Sequence, residues 1–150
     1  MTSQAGKAVF IDTNILVYCQ LALSPFHQVA QARLKDFQTQ GSSFWVSRQI
    51  FREYVSVMSR PGVVTGNIPI VSLTNDVRSF AMRFNVAEDS SQTTVKWLSL
   101  IEQIPTAGKQ VHDANIVATM LTNGIQELLT HNVSDFVRFA GLVTVTPLII

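Results

Sequence analysis

The chain has 150 residues, 47% of them hydrophobic, which is the size of one domain with enough apolar material for a core. Only 14% of residues are charged and the formal net charge is +1, so a diffuse electrostatic grip on nucleic acid is excluded and any RNA contact must be local. The single cysteine, Cys19, rules out an intrachain disulfide or a cysteine zinc cage and fits a reducing, cytoplasmic setting.

No run approaches the roughly 18 consecutive apolar residues of a membrane span, and the polar opening lacks the apolar core of a signal peptide. Along the chain, Ala8-Val9-Phe10-Ile11 is an unbroken apolar run that stops at Asp12, the pattern of a strand buried on both faces. Ser24 and Pro25 read as N-cap and first residue of a helix carrying Phe26, Ala30, Leu34 and Phe37, closed by Gly41. Phe44-Trp45-Val46 reads as a second strand, followed by a helix capped by Ser47, with Phe51, Tyr54, Val55 and Met58 on its apolar side and Pro61-Gly62 as its stop. Val63 to Leu73 reads as an irregular loop.

Val77, Phe80, Ala81 and Phe84 form one helical stripe and Trp97, Leu98, Ile101 and Ile104 the next, read together as a helical pair. Aromatic stripes at this spacing are core in most proteins, with an interface as the other use. Asp113 to Leu121 is helical and ends at Asn123-Gly124. Leu128-Leu129-Thr130 reads as a strand, Asp135 to Phe139 as a short helix and Leu142 to Val145 as the last strand. Strands alternating with helices imply one α/β domain with a parallel sheet, whose site lies beyond the carboxyl ends of the strands.

The chain contains ten acidic residues, and four stand where a solvated carboxylate is not expected. Asp12 ends the buried strand, and Asp135 follows a strand in Asn132-Val133-Ser134-Asp135. Glu53 and Asp113 lie along the apolar edges of their helices, where an unpaired charge is costly. A hard divalent cation, Mg²⁺ or Mn²⁺, accounts for all four, since such ions take oxygen ligands and offset repulsion among carboxylates. Phosphodiester hydrolysis is the natural chemistry of that group. Taken singly, each acid also has a structural use: an Asx-turn for Asp12, a helix-dipole contact for Asp113, a surface pair with Arg52, Arg60 or Lys109 for Glu53, and a cap for Asp135.

Phe10-Ile11-Asp12-Thr13-Asn14-Ile15-Leu16-Val17-Tyr18 resembles the opening motif of PIN-domain nucleases, above all the VapC-type toxins of bacterial toxin–antitoxin pairs. Phe51-Arg52-Glu53-Tyr54, His112-Asp113-Ala114-Asn115 and Leu129-Thr130-His131-Asn132-Val133-Ser134-Asp135-Phe136 resemble that family's later acidic segments, in order, between about residues 8 and 146. The resemblance implies a three-layer α/β/α PIN-like domain over residues 1–150 with four or five parallel strands. It also implies RNA cleavage to 5′-phosphate and 3′-hydroxyl ends. Asp12, Glu53, Asp113 and Asp135 would then hold Mg²⁺ or Mn²⁺, with Asn14 and Asn132 supporting. A homodimer is implied, as is a cognate antitoxin that covers the groove with a basic or aromatic side chain. Asn132 departs from the aspartate that many relatives carry there, which weakens a second metal position.

Other readings have specific features against them. A phosphatase-like hydrolase resembles Asp-x-Asp, whereas this chain has Asp12-Thr13-Asn14. A response-regulator-like domain needs an acidic pair before the first strand ends and a lysine on a late strand. A PIN-like module that binds without cutting is opposed by retention of all four acids. Arg48, Arg52, Arg60, Lys109, His112 and His131 flank the acidic segments, as phosphate contacts or as scattered solvated charge. The histidines lack zinc spacing, and Cys19 reads as a small buried hydrophobe.

Overall fold

In the computed structural model, residues 6–63 and 68–150 are described. Strand β1 (Ala8–Ile11) is central, and Val9, Phe10 and Ile11 are completely buried. Around it lie helices α1 (Thr13–Gln20) and α2 (His27–Thr39), strand β2 (Ser43–Ser47), helices α3 (Arg48–Met58) and α4 (Ile70–Arg83), and strand β3 (Asn85–Ala87). Helices α5 (Ser91–Gln103) and α6 (Gln110–Thr122) follow, then strand β4 (Glu127–Thr130), two 3₁₀ turns (Val133–Asp135 and Val137–Phe139) and strand β5 (Thr144–Pro147). All neighbouring strands are parallel in the order β3-β2-β1-β4-β5, giving the five-stranded sheet of the α/β fold expected.

That order makes the junction of β1 and β4 the topological switch point, because the chain builds outward through β2 and β3 and then returns to the other side of β1. Phe10 registers with Trp45 on β2 and Leu128 on β4, and Ile11 with Leu129, so Asp12 and Thr130 emerge at one edge. The continuous apolar run of β1 and the buried Leu128-Leu129 pair of β4 follow from that central position, where both faces are covered.

Several elements depart from the sequence expectation. Helix α1 starts directly after Asp12; Ile15, Leu16 and Val17 are all buried, so this short helix has no polar face to reveal its period. Helix α2 begins at His27 rather than Pro25, because Ser24 forms a turn: its hydroxyl accepts from Phe26 N and its carbonyl from His27 N. Gly41, at φ +83°, ends it as expected. Ser47 stands at the N-cap of α3 but makes no capping bond, and its buried hydroxyl lacks a partner among the described residues.

The stretch read as loop from Val63 to Leu73 already contains the first turn of α4 at Ile70; residues 64–67 of that stretch lie outside the described residues. The two apolar stripes do not pair, because β3 separates them: α4 packs on α3, while α5 packs along α6. Of the stripe residues Phe80 is core and Val77, Phe84, Trp97, Ile101 and Ile104 pack partly buried against it, whereas Ala81 and Leu98 are exposed; Leu100, outside the stripe, is the fully packed residue of α5. In place of one helix from Asp135 to Phe139 there are the two 3₁₀ turns, and the last strand starts at Thr144, with Val143 buried just before it.

Helix α4 is held on α3 by Tyr54, whose hydroxyl donates to Asp76 Oδ2 at 2.6 Å and whose ring meets Phe80 edge-on at 5.0 Å. Phe80→Ala should lower unfolding free energy by about 3–5 kcal/mol, through lost contact and the cavity left behind. Tyr54→Phe, which removes only the hydroxyl, should cost roughly 1 kcal/mol. Urea unfolding of the two variants tests this ranking, and equal losses would show that the ring contact does not dominate.

Candidate functional site

Asp12 is the first residue past β1 and the N-cap of α1, with extended dihedrals of −73° and 157°. Its Oδ1 accepts from Thr13 N at 2.8 Å; its Oδ2 accepts from Thr130 Oγ1 at 2.7 Å and from Asn14 Nδ2 at 3.0 Å. The Asx-turn use is therefore partly realised, since the carboxylate caps a helix as well as facing the cavity. Asn14 clips the two central strands together: its Oδ1 accepts from His131 N at 3.0 Å while its Nδ2 reaches Asp12. Burial pushes the Asp12 carboxyl from 3.8 up to about 6, against the lowering effect of the Thr130 and Thr13 hydrogen bonds; the Glu53 charge adds to the rise.

Glu53 projects from α3 and is half-buried. Its Oε2 accepts from Thr13 Oγ1 at 2.7 Å and its Oε1 from Gln49 Nε2 at 3.0 Å, so among the described residues it has polar partners and no ion pair. Asp113, in the first turn of α6, is 7% exposed and receives no hydrogen bond from any described side chain. Burial, then the Asp135 charge, raise its carboxyl from 3.8 to about 6; Lys109 acts against that, and Asp12 and Glu53 add to it. Asp135 ends the first 3₁₀ turn with its Oδ2 3.8 Å from Lys109 Nζ.

All four acids, together with Asn14 and Asn132, line one cavity of about 540 Å³. Arg52, Arg60, Lys109 and His112 line the same cavity. Arg48 does not: it pairs with Glu88 at 2.9 Å on the surface. His131 is also absent from the wall, and its ring packs against Phe26 at 4.5 Å and Tyr18 at 5.6 Å. Cys19 is partly buried, and burial pushes its thiol up to about 11, the behaviour of an inert side chain.

The donor set suits a hard divalent cation: oxygen groups only, two carboxyls displaced upward first by burial and then by neighbouring acids, and one of them, Asp113, without a donor of its own. Among the described residues no three acidic, His or Cys groups are drawn into a ready-made cluster, a spacing that mutual repulsion favours. Glu53 and Asp12 are oriented by neutral donors, which leaves their charge uncancelled.

Three contributors were not singled out from sequence. Thr130 holds Asp12, and recognising it requires knowing that β4 lies beside β1. Thr13 holds Glu53 across forty residues of chain separation. Gln49 was legible in principle, since it sits four residues before Glu53 on the same helix face.

No family model matches the chain. Ribonuclease VapC48 of Mycobacterium tuberculosis is 22% identical over 133 residues, covering 87% of this chain and 91% of that protein. A toxin–antitoxin complex from Klebsiella pneumoniae superposes with a TM-score of 0.65 at 19% identity, over 93% of this chain and 97% of the other. The M. tuberculosis Sarcin-Ricin loop cleaving toxin VapC20 superposes at 0.68 with 16% identity, over 93% and 99%. The chain thus has the three-layer fold of VapC-type PIN domains, as the four motifs implied.

A carboxyl whose folded pKa lies above its unfolded value destabilises the fold only where the unfolded chain gives up the proton first. For Asp113 that cost is absent below about pH 3.8, grows as pH rises toward about 6 and is complete above it. In EDTA near neutral pH, Asp113→Asn should therefore raise unfolding free energy by about 1–2 kcal/mol, less than the full displacement because the carboxyl faces the solvent-filled cavity. The gain should fall to about a third near pH 4.5. Thermal melts of both proteins across this range check it; a gain independent of pH would contradict the assignment.

Proposed function

We propose that this chain is a metal-dependent endoribonuclease of the VapC type, the toxin of a toxin–antitoxin pair, cutting RNA to 5′-phosphate and 3′-hydroxyl ends. The observation that carries this reading is the convergence of Asp12, Glu53, Asp113 and Asp135 on one cavity at the carboxyl edge of the sheet, with Arg52, Arg60, Lys109 and His112 on the same wall. Carboxylates alone would repel a polyanion. A wall combining acids with cations suits a phosphodiester whose reacting phosphate sits at the acids and whose neighbouring phosphates meet the basic groups. The near-neutral total charge is consistent with such a local grip.

Asp12, Glu53 and Asp113 would hold Mg²⁺ or Mn²⁺, with Asp135 as the fourth acid; when bound, the cation supplies charge neutralisation at the phosphoryl group and lowers the pKa of water. Thr130, Asn14 and Thr13 fix the directions of Asp12, and Thr13 and Gln49 those of Glu53, before substrate arrives. Water attacks phosphorus, the bond to the 3′ oxygen breaks, and that oxygen takes a proton. The new oxygen stays on the 5′-phosphate. His112 is the one histidine of three on the cavity wall, so a pair of imidazoles acting through the 2′-hydroxyl has no counterpart here.

The toxin-complex likeness supports an antitoxin partner, and the proposal includes a homodimer. Exposed Val71 and Met82 on α4 and Val95 on α5 give apolar surface for such association. Among the described residues no helix is long and apolar enough to cross a membrane. At the position where an Asp-x-Asp phosphatase carries its second acid stands Asn14, an amide that donates to Asp12.

Cleavage of RNA by wild type with Mg²⁺ or Mn²⁺, followed by end-group analysis, tests the reading. Activity should vanish in EDTA and fall at least about a hundredfold in Asp12→Asn. Thr130→Val should lose roughly 10- to 100-fold, partly recovered by raising the metal concentration. Equal activity in wild type and Asp12→Asn, or 2′,3′-cyclic phosphate ends, would defeat it.

A further inference from the structure

A second cavity of about 500 Å³ adjoins the acidic one, and Arg52, Glu53 and His112 line both. Its remaining wall includes Gln49, which orients Glu53, and Asp89, Trp97 and Asn115, to which the catalytic reading gives no part. We infer that this cavity is a nucleobase subsite beside the scissile phosphate and that it selects guanine; the inference rests on the ribonuclease reading for its place in a larger substrate.

Two features make the cavity a base site rather than a general cleft. Trp97 supplies a half-buried indole whose orientation is locked, because Nε1 donates to Val111 O at 2.7 Å, so a stacking face is available without ordering a loose side chain. The polar edge is also preset. Gln49 Nε2 spends its hydrogens on Glu53 Oε1 and His112 O, both at 3.0 Å. Asn115 Nδ2 spends its own on Gln49 Oε1 and Asp89 Oδ2, both at 2.9 Å.

With the amide donors consumed internally, the amide and carboxylate atoms left for a ligand are an acceptor pair, Asp89 Oδ1 and Asn115 Oδ1, neither of which receives a bond from a described residue; the Thr94 hydroxyl, on the same wall, can donate or accept, and Arg52 and His112 lie on the side shared with the acidic cavity. A base edge that meets this acceptor pair must present adjacent N–H donors. Of the four bases only guanine presents two adjacent donors, N1–H and N2–H, with its O6 acceptor to one side; uracil, cytosine and adenine each set an acceptor directly beside the donor, which would face another acceptor. Arg52, on both walls, is placed to meet the phosphate joining this base to the reacting one. The same network ties the subsite to catalysis, since Gln49 bonds both Asn115 and Glu53.

The test is a titration of the full chain in EDTA with each of the four nucleoside 5′-monophosphates, followed by the indole N–H resonances; the chain has two tryptophans, and Trp97→Phe assigns the relevant signal. The Trp97 resonance should shift saturably with guanosine monophosphate, and at least about tenfold more weakly with the others. Asp89→Asn, at an exposed position, should cost about tenfold for guanosine monophosphate alone. No saturable shift, equal affinity for all four, or indifference to Asp89→Asn would overturn the subsite even if metal-dependent RNA cleavage is intact. Guanine-selective binding sustains it even if cleavage fails.

Discussion

The hydrogen bond from Thr130 Oγ1 to Asp12 Oδ2, 2.7 Å long and buried, joins the ends of the two strands on which the site is built. It is one of four ties across that seam: Asp12 N donates to Leu129 O at 3.1 Å, Asn14 Oδ1 accepts from His131 N at 3.0 Å, and Asn14 Nδ2 donates to Thr130 Oγ1 at 3.3 Å. Together they fix a carboxylate relative to the sheet itself, not to a loop. Precision of this kind comes from rigid elements, and here it comes from parallel strands whose apolar sides leave β1 and β4 no freedom to slip. Helix α1 then carries Thr13 to Glu53, so that the orientation of one acid is passed to the next through a single hydroxyl.

The same burial that fixes the acids makes them expensive. The displacement of the Asp12 carboxyl from 3.8 to about 6 corresponds to about 3 kcal/mol at neutral pH, a large share of the stability of a domain this size. A charge-neutral arrangement would have cost less. Lys109 relieves part of it at Asp135 from 3.8 Å, yet Lys109 is exposed, and screening limits what that pair contributes. The remaining imbalance is what a hard divalent cation is suited to offset, and it explains why the site's neighbours are hydroxyls and amides that orient charge without cancelling it.

Legibility in the sequence followed physical distinctness. β1 was readable as an unbroken apolar run and β4 through Leu128-Leu129, α3 because one face is buried, and α6 through its length and its Asn123-Gly124 stop, although residues 116 to 120 are all buried. Helix α1 was not, since Ile15, Leu16 and Val17 are buried together and no period survives. Strand β3 escaped because Asn85–Ala87 is three residues at a sheet edge. Pairing of α5 with α6 depends on that strand and was lost with it. Asp12, Glu53, Asp113 and Asp135 stood out as acids in apolar settings, and the motifs then gave their order. Thr130, Thr13 and Gln49 are ordinary residues whose importance lies in what they face, a tertiary fact.

Orientation, burial and chemistry at the sheet edge all require the four carboxylates to act as one cation site. Calorimetric titration of Mn²⁺ into chelator-stripped protein near neutral pH addresses that without any assumption about RNA. Wild type should bind saturably, and Asp12→Asn should weaken that binding at least about tenfold while the fold persists. No saturable binding, or equal binding by both proteins, would contradict it.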